Sequence, residues 1–249
     1  MKNLLQNCTV IKALLFALLL GFGSAAWAAQ VAGMVTRLSG PLLAKKADGS
    51  VKALGLRSEI ESGDTLVSEK NTYAQIRFVD NSEITLRPGT TFKVENFSYD
   101  ENKPEADNAS YSLVKGGLRS ITGLMGKRNK EKFSLKTPTA TIGIRGTTFV
   151  AHYVPPPPAD RPAPPQALAP GLHLQVTDGA IIVTNTGGAL GFQAGQFGYV
   201  PNVNQPPVIV PSNPGIQFVP PPASKLGGGG GPVASNGPGQ GQSTDCIVR

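Results

Sequence analysis

The chain has 249 residues, a formal net charge of +7, 22 prolines, 30 glycines and two cysteines. A charge excess of this size favours solubility and weak attraction to anionic surfaces, and falls short of the dense basic patterning of a nucleic-acid binder. Two cysteines, one of them in the first ten residues, exclude a disulfide-stapled scaffold.

The N-terminus reads as a secretory leader. Lys2 and Lys12 precede an apolar stretch from Ala13 to Phe22, and small residues follow at Ala26-Trp27-Ala28. The apolar run is about half of the ~20 residues needed to cross a bilayer, so cleavage after Ala28 or Ala29 is expected rather than anchoring. Cys8 stands ahead of the apolar segment, on the wrong side for a lipoprotein's acylated cysteine. Losing Lys2 and Lys12 with the leader takes the charge from +7 down by two, to +5, and leaves Cys246 as the remaining thiol. The organisation expected is a signal peptide over 1–28, a β domain over 30–203, and a tail over 204–249. No transmembrane segment is expected after cleavage, and the location is the periplasm, with the cell surface as the further option.

From Val31 to Val154, short β-like runs recur between turn residues at about the 8–12-residue spacing of an all-β domain. Met34 to Leu38 ends at Gly40-Pro41, Val51 to Leu56 follows Asp48-Gly49, and Gly63-Asp64 closes the next segment. Thr72 to Val79 alternates as a half-buried strand, and Asp80-Asn81-Ser82 turns it into Ile84-Thr85-Leu86. Thr91 to Phe97 places Phe92, Val94 and Asn96 on one face and leaves Phe97 out of register. Tyr99 to Ser110, with Pro104 and four acidic residues, reads as an exposed loop. Tyr111 to Arg119 reads as a strand, a turn at Gly116-Gly117 and a second strand. Pro155 to Pro170 is a proline-rich excursion. Leu172 to Val176 and Ala180 to Thr184 flank an Asp178-Gly179 turn, and Leu190 to Val200 gives a last pair broken at Gly195.

Beyond Asn204, prolines and the run Gly227 to Gly231 leave too little to bury, so the tail is read as mostly disordered; Val208, Ile209, Val210, Ile216 and Phe218 are its residues able to dock. A strand–turn–strand pattern recurs at Val35, Leu113 and Val176. Such recurrence is produced both by stacked coils and by ordinary hairpins. The fold expected is therefore all-β, either a short β-solenoid or a two-sheet sandwich, with a disordered C-terminal tail.

These runs, taken in order, resemble the FecR family, the envelope-exposed domain of a group of bacterial regulators. The likeness is carried by Val35-Thr36-Arg37-Leu38-Ser39-Gly40, Gly63-Asp64-Thr65, the stretch Phe78 to Thr90, Gly116-Gly117-Leu118-Arg119, and Thr137-Pro138-Thr139-Ala140-Thr141-Ile142-Gly143-Ile144-Arg145-Gly146-Thr147. The resemblance implies a module that works by contacting other envelope proteins. FecR regulators also carry a cytoplasmic sigma-factor-controlling region and a membrane helix ahead of this domain. Neither is found here, so any signalling is expected to need a separate partner.

The residues of the last motif also read physically, independent of the family: Gly146 marks a bulge or a close backbone approach, and Pro138 holds Thr137 extended. Asn81 tolerates the left-handed conformation of a tight hairpin, where the family more often has Gly.

Catalytic residues, a metal site and a cofactor are not expected. His152 and His173 bracket the proline-rich excursion, so pairing of their strands would bring them together near Asp178. Structural and catalytic zinc sites use three or four protein ligands, and two edge-strand histidines are the simpler reading. From Lys115 to Arg145 the charges are Lys115, Arg119, Lys127, Arg128, Lys130, Lys132, Lys136 and Arg145 against Glu131 alone. Arg119, Lys127, Arg128, Lys130, Lys132 and Arg145 form the candidate contact for an anionic partner, and a solvated loop is the competing reading. The partner expected is an envelope protein or an anionic polysaccharide, with no nucleic acid. The functional reading is a non-catalytic protein-binding or signalling module of the cell envelope. The alternative is a structural or surface-interaction protein that binds envelope polysaccharide.

Overall fold

A computed structural model of the chain describes residues 30–158, 160, 168–216 and 218. The leader, most of the proline-rich excursion and nearly all of the chain past Ile216 lie outside the described residues. Among the described residues, fifteen strands form one hydrogen-bonded sheet. They are β1 (Val31–Leu38), β2 (Leu42–Lys45), β3 (Val51–Leu54), β4 (Glu59–Glu61), β5 (Thr65–Ser68), β6 (Ala74–Phe78), β7 (Glu83–Leu86) and β8 (Thr91–Ser98). They continue with β9 (Asn108–Ile121), β10 (Phe133–Lys136), β11 (Thr141–Val154), β12 (Gly171–Asn185), β13 (Gly188–Gln193), β14 (Phe197–Val200) and β15 (Val208–Val210). One short helix, α1 (Leu124–Arg128), joins β9 to β10 through a 3-10 turn.

The long strands β9, β11 and β12 each serve two limbs of the sheet. In the first limb their segments 118–121, 148–154 and 171–176 continue outward to β7, β6, β1 and β4 on one side and to β14 and β15 on the other. In the second limb their segments 108–115, 141–145 and 180–185 join β8, β5, β2 and β3 on one side and β13 on the other, with β10 between β9 and β11. The limbs fold over a common core. Phe78 of the first limb stands 5.0 Å from Phe97 and 5.3 Å from Tyr111 of the second, ring centre to ring centre. Each such side chain contributes about 1.5–3 kcal/mol by leaving water.

All-β is thus the class observed. Both limbs belong to one open mixed sheet, in which the only parallel pairing among the described strands is β9 with β10. A coil of stacked parallel strands would need many.

Three glycines make the fold-over. Gly116, Gly146 and Gly179 have φ of 86°, 63° and 72°, and lie where β9, β11 and β12 pass from one limb to the other. The bulge expected at Gly146 is there, with the pairing register shifted between Arg145 and Thr148. Gly116-Gly117 and Asp178-Gly179, read as turns, are bends inside continuous strands. A left-handed glycine suits either geometry, and the partner strands on both sides decide for the bend.

Side chains lock these bends. Thr90 Oγ1 donates to the Gly117 carbonyl and accepts from the Gly117 N–H. Thr147 N–H donates to Thr122 Oγ1, which donates back to the Thr147 carbonyl at 2.8 Å. Thr137 holds the turn into β11 by donating from its hydroxyl to Ala140 O and accepting from Ala140 N–H.

Other expectations shift as well. Phe97 is 1% exposed, because a bulge between Val94 and Asn96 turns it back to the core. The exposed loop read over Tyr99 to Ser110 ends early: Asp107 is buried, and Asn108, Ala109 and Ser110 already belong to β9. Past Asn204 the residues read as able to dock do so: Val208 to Val210 add β15 to the free edge of β14, and Ile216 is buried. No helix among the described residues is long and apolar enough to cross a membrane.

Candidate binding surface

The basic segment is not one surface. Arg128 of α1 is consumed structurally. Its Nε and Nη2 donate to the two carboxylate oxygens of Asp107 at 2.8 and 2.7 Å, and it also reaches the carbonyls of Glu101 and Asp100. Its guanidinium lies 4.6 Å from the centre of the Tyr99 ring. The hydrogen bonds from Arg128 hold the Asp107 carboxyl below the usual carboxylate range despite burial. Arg119 lies on the outer face of the first limb, 6.0 Å from the ring centre of Phe218. Lys127 on α1 and Lys132 on the 3-10 turn are solvent-exposed.

Two of the six predicted cations do meet. Lys130 and Arg145 line one groove of about 340 Å³, together with Glu131, Phe133, Gly143 and Ile182. A second groove of about 250 Å³ runs along the other side of Arg145 and Ile182, over Ala180, Gly191 and Gln193. The pairing register explains this relief. Gly143, Ile182 and Gly191 form one row across β11, β12 and β13. Ile182 stands 41% exposed between two residues without side chains, so the isoleucine makes a ridge and the glycines its flanking troughs. The next row, Arg145, Ala180 and Gln193, sets the guanidinium at the end of both grooves.

This surface adjoins a free strand edge. β13 pairs with β12 alone among the described strands. Its sequence, Gly-Ala-Leu-Gly-Phe-Gln, carries no charge and no proline, the usual devices against edge pairing. The Ala194 N–H turns inward to the Gly179 carbonyl, and the Gln193 N–H is taken by Gln196 Oε1 at 2.7 Å. Antiparallel alternation therefore directs the N–H and C=O of Ala189 and Gly191 away from β12.

The histidines are paired, as expected, with His152 directly opposite His173. They are not at an edge: β11 is flanked by β9 and β12, and β12 by β11 and β14. Arg87 Nη1 is 3.0 Å from His152 Nδ1. Gly117 makes room for this reach, since a Cβ there would sit 3.0 Å from Arg87 Cδ and 3.3 Å from His152 Cγ. His173 Nε2 lies 2.7 Å from Ala169 O and its ring stacks on Tyr199, whose hydroxyl donates to Pro170 O.

Burial first, then the Arg87 charge and His173, lowers the His152 pKa to about 4, and burial lowers that of His173. Both rings are neutral at neutral pH. Asp178 is displaced along the strands, opposite Thr148, and no group of three His, Cys, Asp or Glu side chains converges among the described residues. A guanidinium against His152 Nδ1 also opposes a metal cation there. This row ties the return of the proline-rich excursion to the sheet.

Of the surface, sequence reasoning found Lys130 and Arg145 and missed Gly143, Ile182, Gly191 and the β13 edge. Two glycines inside strand-like runs were the available signal, because such glycines mark close approach or an open groove.

Residues 64–157 match a family model described as FecR protein. No curated protein matches the chain. Among solved structures, two crystal structures of a candidate anti-sigma factor from Parabacteroides distasonis ATCC 8503 align at 15% and 14% identity with TM-scores of 0.43 and 0.42. Each alignment covers 59% of this chain and 58% of that one. A cell surface anchoring domain aligns at 22% identity with a TM-score of 0.25, over 25% of this chain and 82% of that one.

Proposed function

We propose that this chain, whose residues 64–157 match the FecR family model, is a non-catalytic signalling module of the bacterial envelope, exported to the periplasm, that acts by binding another protein. The reading is supported by the family match and by the surface around Arg145. There an apolar ridge, two cations and an unprotected strand edge lie side by side. That combination suits a polypeptide. An added strand would pair with Ala189 and Gly191, an apolar side chain of the partner would fill a trough beside Ile182, and an acidic one would meet Lys130 and Arg145.

The test is a photo-crosslinking residue at position 182 of the full chain, expressed with its own leader in living cells, with mass spectrometry of the products. A reproducible envelope protein, lost when Lys130→Ser and Arg145→Ser are combined, is the expected result. Recovery of polysaccharide alone would replace the protein-binding reading with the surface-interaction one, and no product at all would remove this face as a contact.

A further inference from the structure

The outer face of the first limb is buried without belonging to the core. Along β11, Phe149 and Ala151 point inward, so Val150 and His152 point out, yet Val150 is 2% exposed; on β12 the outward His173 is 3% exposed. Two pieces of chain cover them. One is Leu168 to Pro170, held by the His173 and Tyr199 hydrogen bonds described above. The other is the segment from Asn213 to Phe218, which follows β15 and crosses beside Arg119, Val150, Gln175 and Thr177.

The second cover is built like a bound peptide. Asn213 folds it by accepting from the Gly215 and Ile216 N–H groups at 3.0 and 2.7 Å and donating from Nδ2 to Ile216 O at 3.0 Å. Gly215 supplies the left-handed turn, with φ of 105°. The result presents Ile216, 2% exposed, and Phe218, against Arg119, toward the sheet. All three hydrogen bonds lie within the segment itself, and among the described residues Ile216 and Phe218 are the side chains it sets against the sheet. A groove of about 290 Å³, open to solvent, runs along the seam where segment and sheet meet.

We propose that this face is a docking groove for a turn-bearing segment presenting an aliphatic residue and, two positions later, an aromatic one. Asn213–Phe218 is its occupant in cis, and the same segment of a second copy can take its place. Anchoring by two side chains makes the occupant exchangeable, while Ile216 and Val150 stand apart from the main core, so release leaves the fold intact. This surface is separate from the one around Arg145.

The experiment uses the full chain carrying Ile216→Asp and Phe218→Ala, and a fluorescent synthetic peptide of residues 211–222. Anisotropy should show saturable binding to this variant and at least tenfold weaker binding to the unaltered chain, whose groove is taken. A peptide bearing the same two substitutions should not bind. No binding to the folded variant, or equal binding to both chains, overturns the proposal. Should the variant lose its β circular dichroism, the milder pair Ile216→Ala and Phe218→Ala carries the same test.

Discussion

Gly146 and Gly179 face each other where β11 and β12 bend, so closely that a Cβ on Gly179 would lie 2.1 Å from the Gly146 carbonyl oxygen. The relation is one-sided, because a Cβ on Gly146 would meet nothing within 4 Å. Gly146→Ala therefore carries only the left-handed penalty, about 1–2 kcal/mol. Gly179→Ala adds a backbone clash and should cost about 3 kcal/mol or more. Denaturant unfolding of the two variants reads the difference directly, and equal losses would mean that the bend relaxes freely.

Asp80 ties the β6–β7 hairpin to α1. Its carboxylate accepts from Ser82 N–H at 3.0 Å, Ser82 Oγ at 2.6 Å and Met125 N–H at 3.3 Å, while its carbonyl accepts from Leu124 N–H. With the residue 3% exposed, Asp80→Ala strands buried donors and should cost about 2–3 kcal/mol. Asp80→Asn keeps an acceptor oxygen and should cost about half as much. Thermal unfolding of both variants separates hydrogen bonding from charge: equal losses would assign the effect to the charge.

This hairpin was legible because its information is local: alternation from Ala74 to Phe78, then Asn81 at a left-handed φ of 62°. The bulge at Gly146 was legible for the same reason. Gly116 and Gly179 misled because a turn and a bend ask for the same residue, and the choice between them is made by strands far off in sequence. Phe97 misled because one bulge resets the alternation. The grooves around Arg145 were hidden more deeply, since the Gly143–Ile182–Gly191 row spans three strands and no spacing rule joins them. The basic run misled in the opposite sense. Its charges are neighbours in sequence, whereas the partner of Arg128 is Asp107, 21 residues upstream.

That pairing separates cations that the sequence groups together. Arg128→Ala removes both bonds to Asp107, leaving a buried carboxylate without its partner, and should lower Tm by several degrees. Lys127→Ser with Lys132→Ser changes only exposed side chains and should leave Tm within about one degree. A scanning fluorimetry comparison suffices. A lysine pair as costly as Arg128 would show that the whole segment is structural.

His152 gives the fold a defined response to acid. In the folded chain its pKa is lowered to about 4, whereas the unfolded chain has the ordinary 6.5. Between those values the unfolded state binds a proton that the folded state refuses, so stability falls as pH is lowered from 6.5 toward 4 and is unaffected by this residue above 6.5. The full shift corresponds to about 3 kcal/mol, and the lowered pKa of His173 acts in the same direction. Asp107, also held below its ordinary value, adds a further loss only in more acid solution, through the carboxylate range. Denaturant midpoints measured from pH 7.5 to 4.5 should therefore fall for the unaltered chain, and His152→Gln should fall less over the same interval. Arg87→Gln removes a charge that opposes protonation, so the His152 ring, followed by NMR, should titrate closer to 6.5. An unchanged titration would assign the depression to burial and the neighbouring His173.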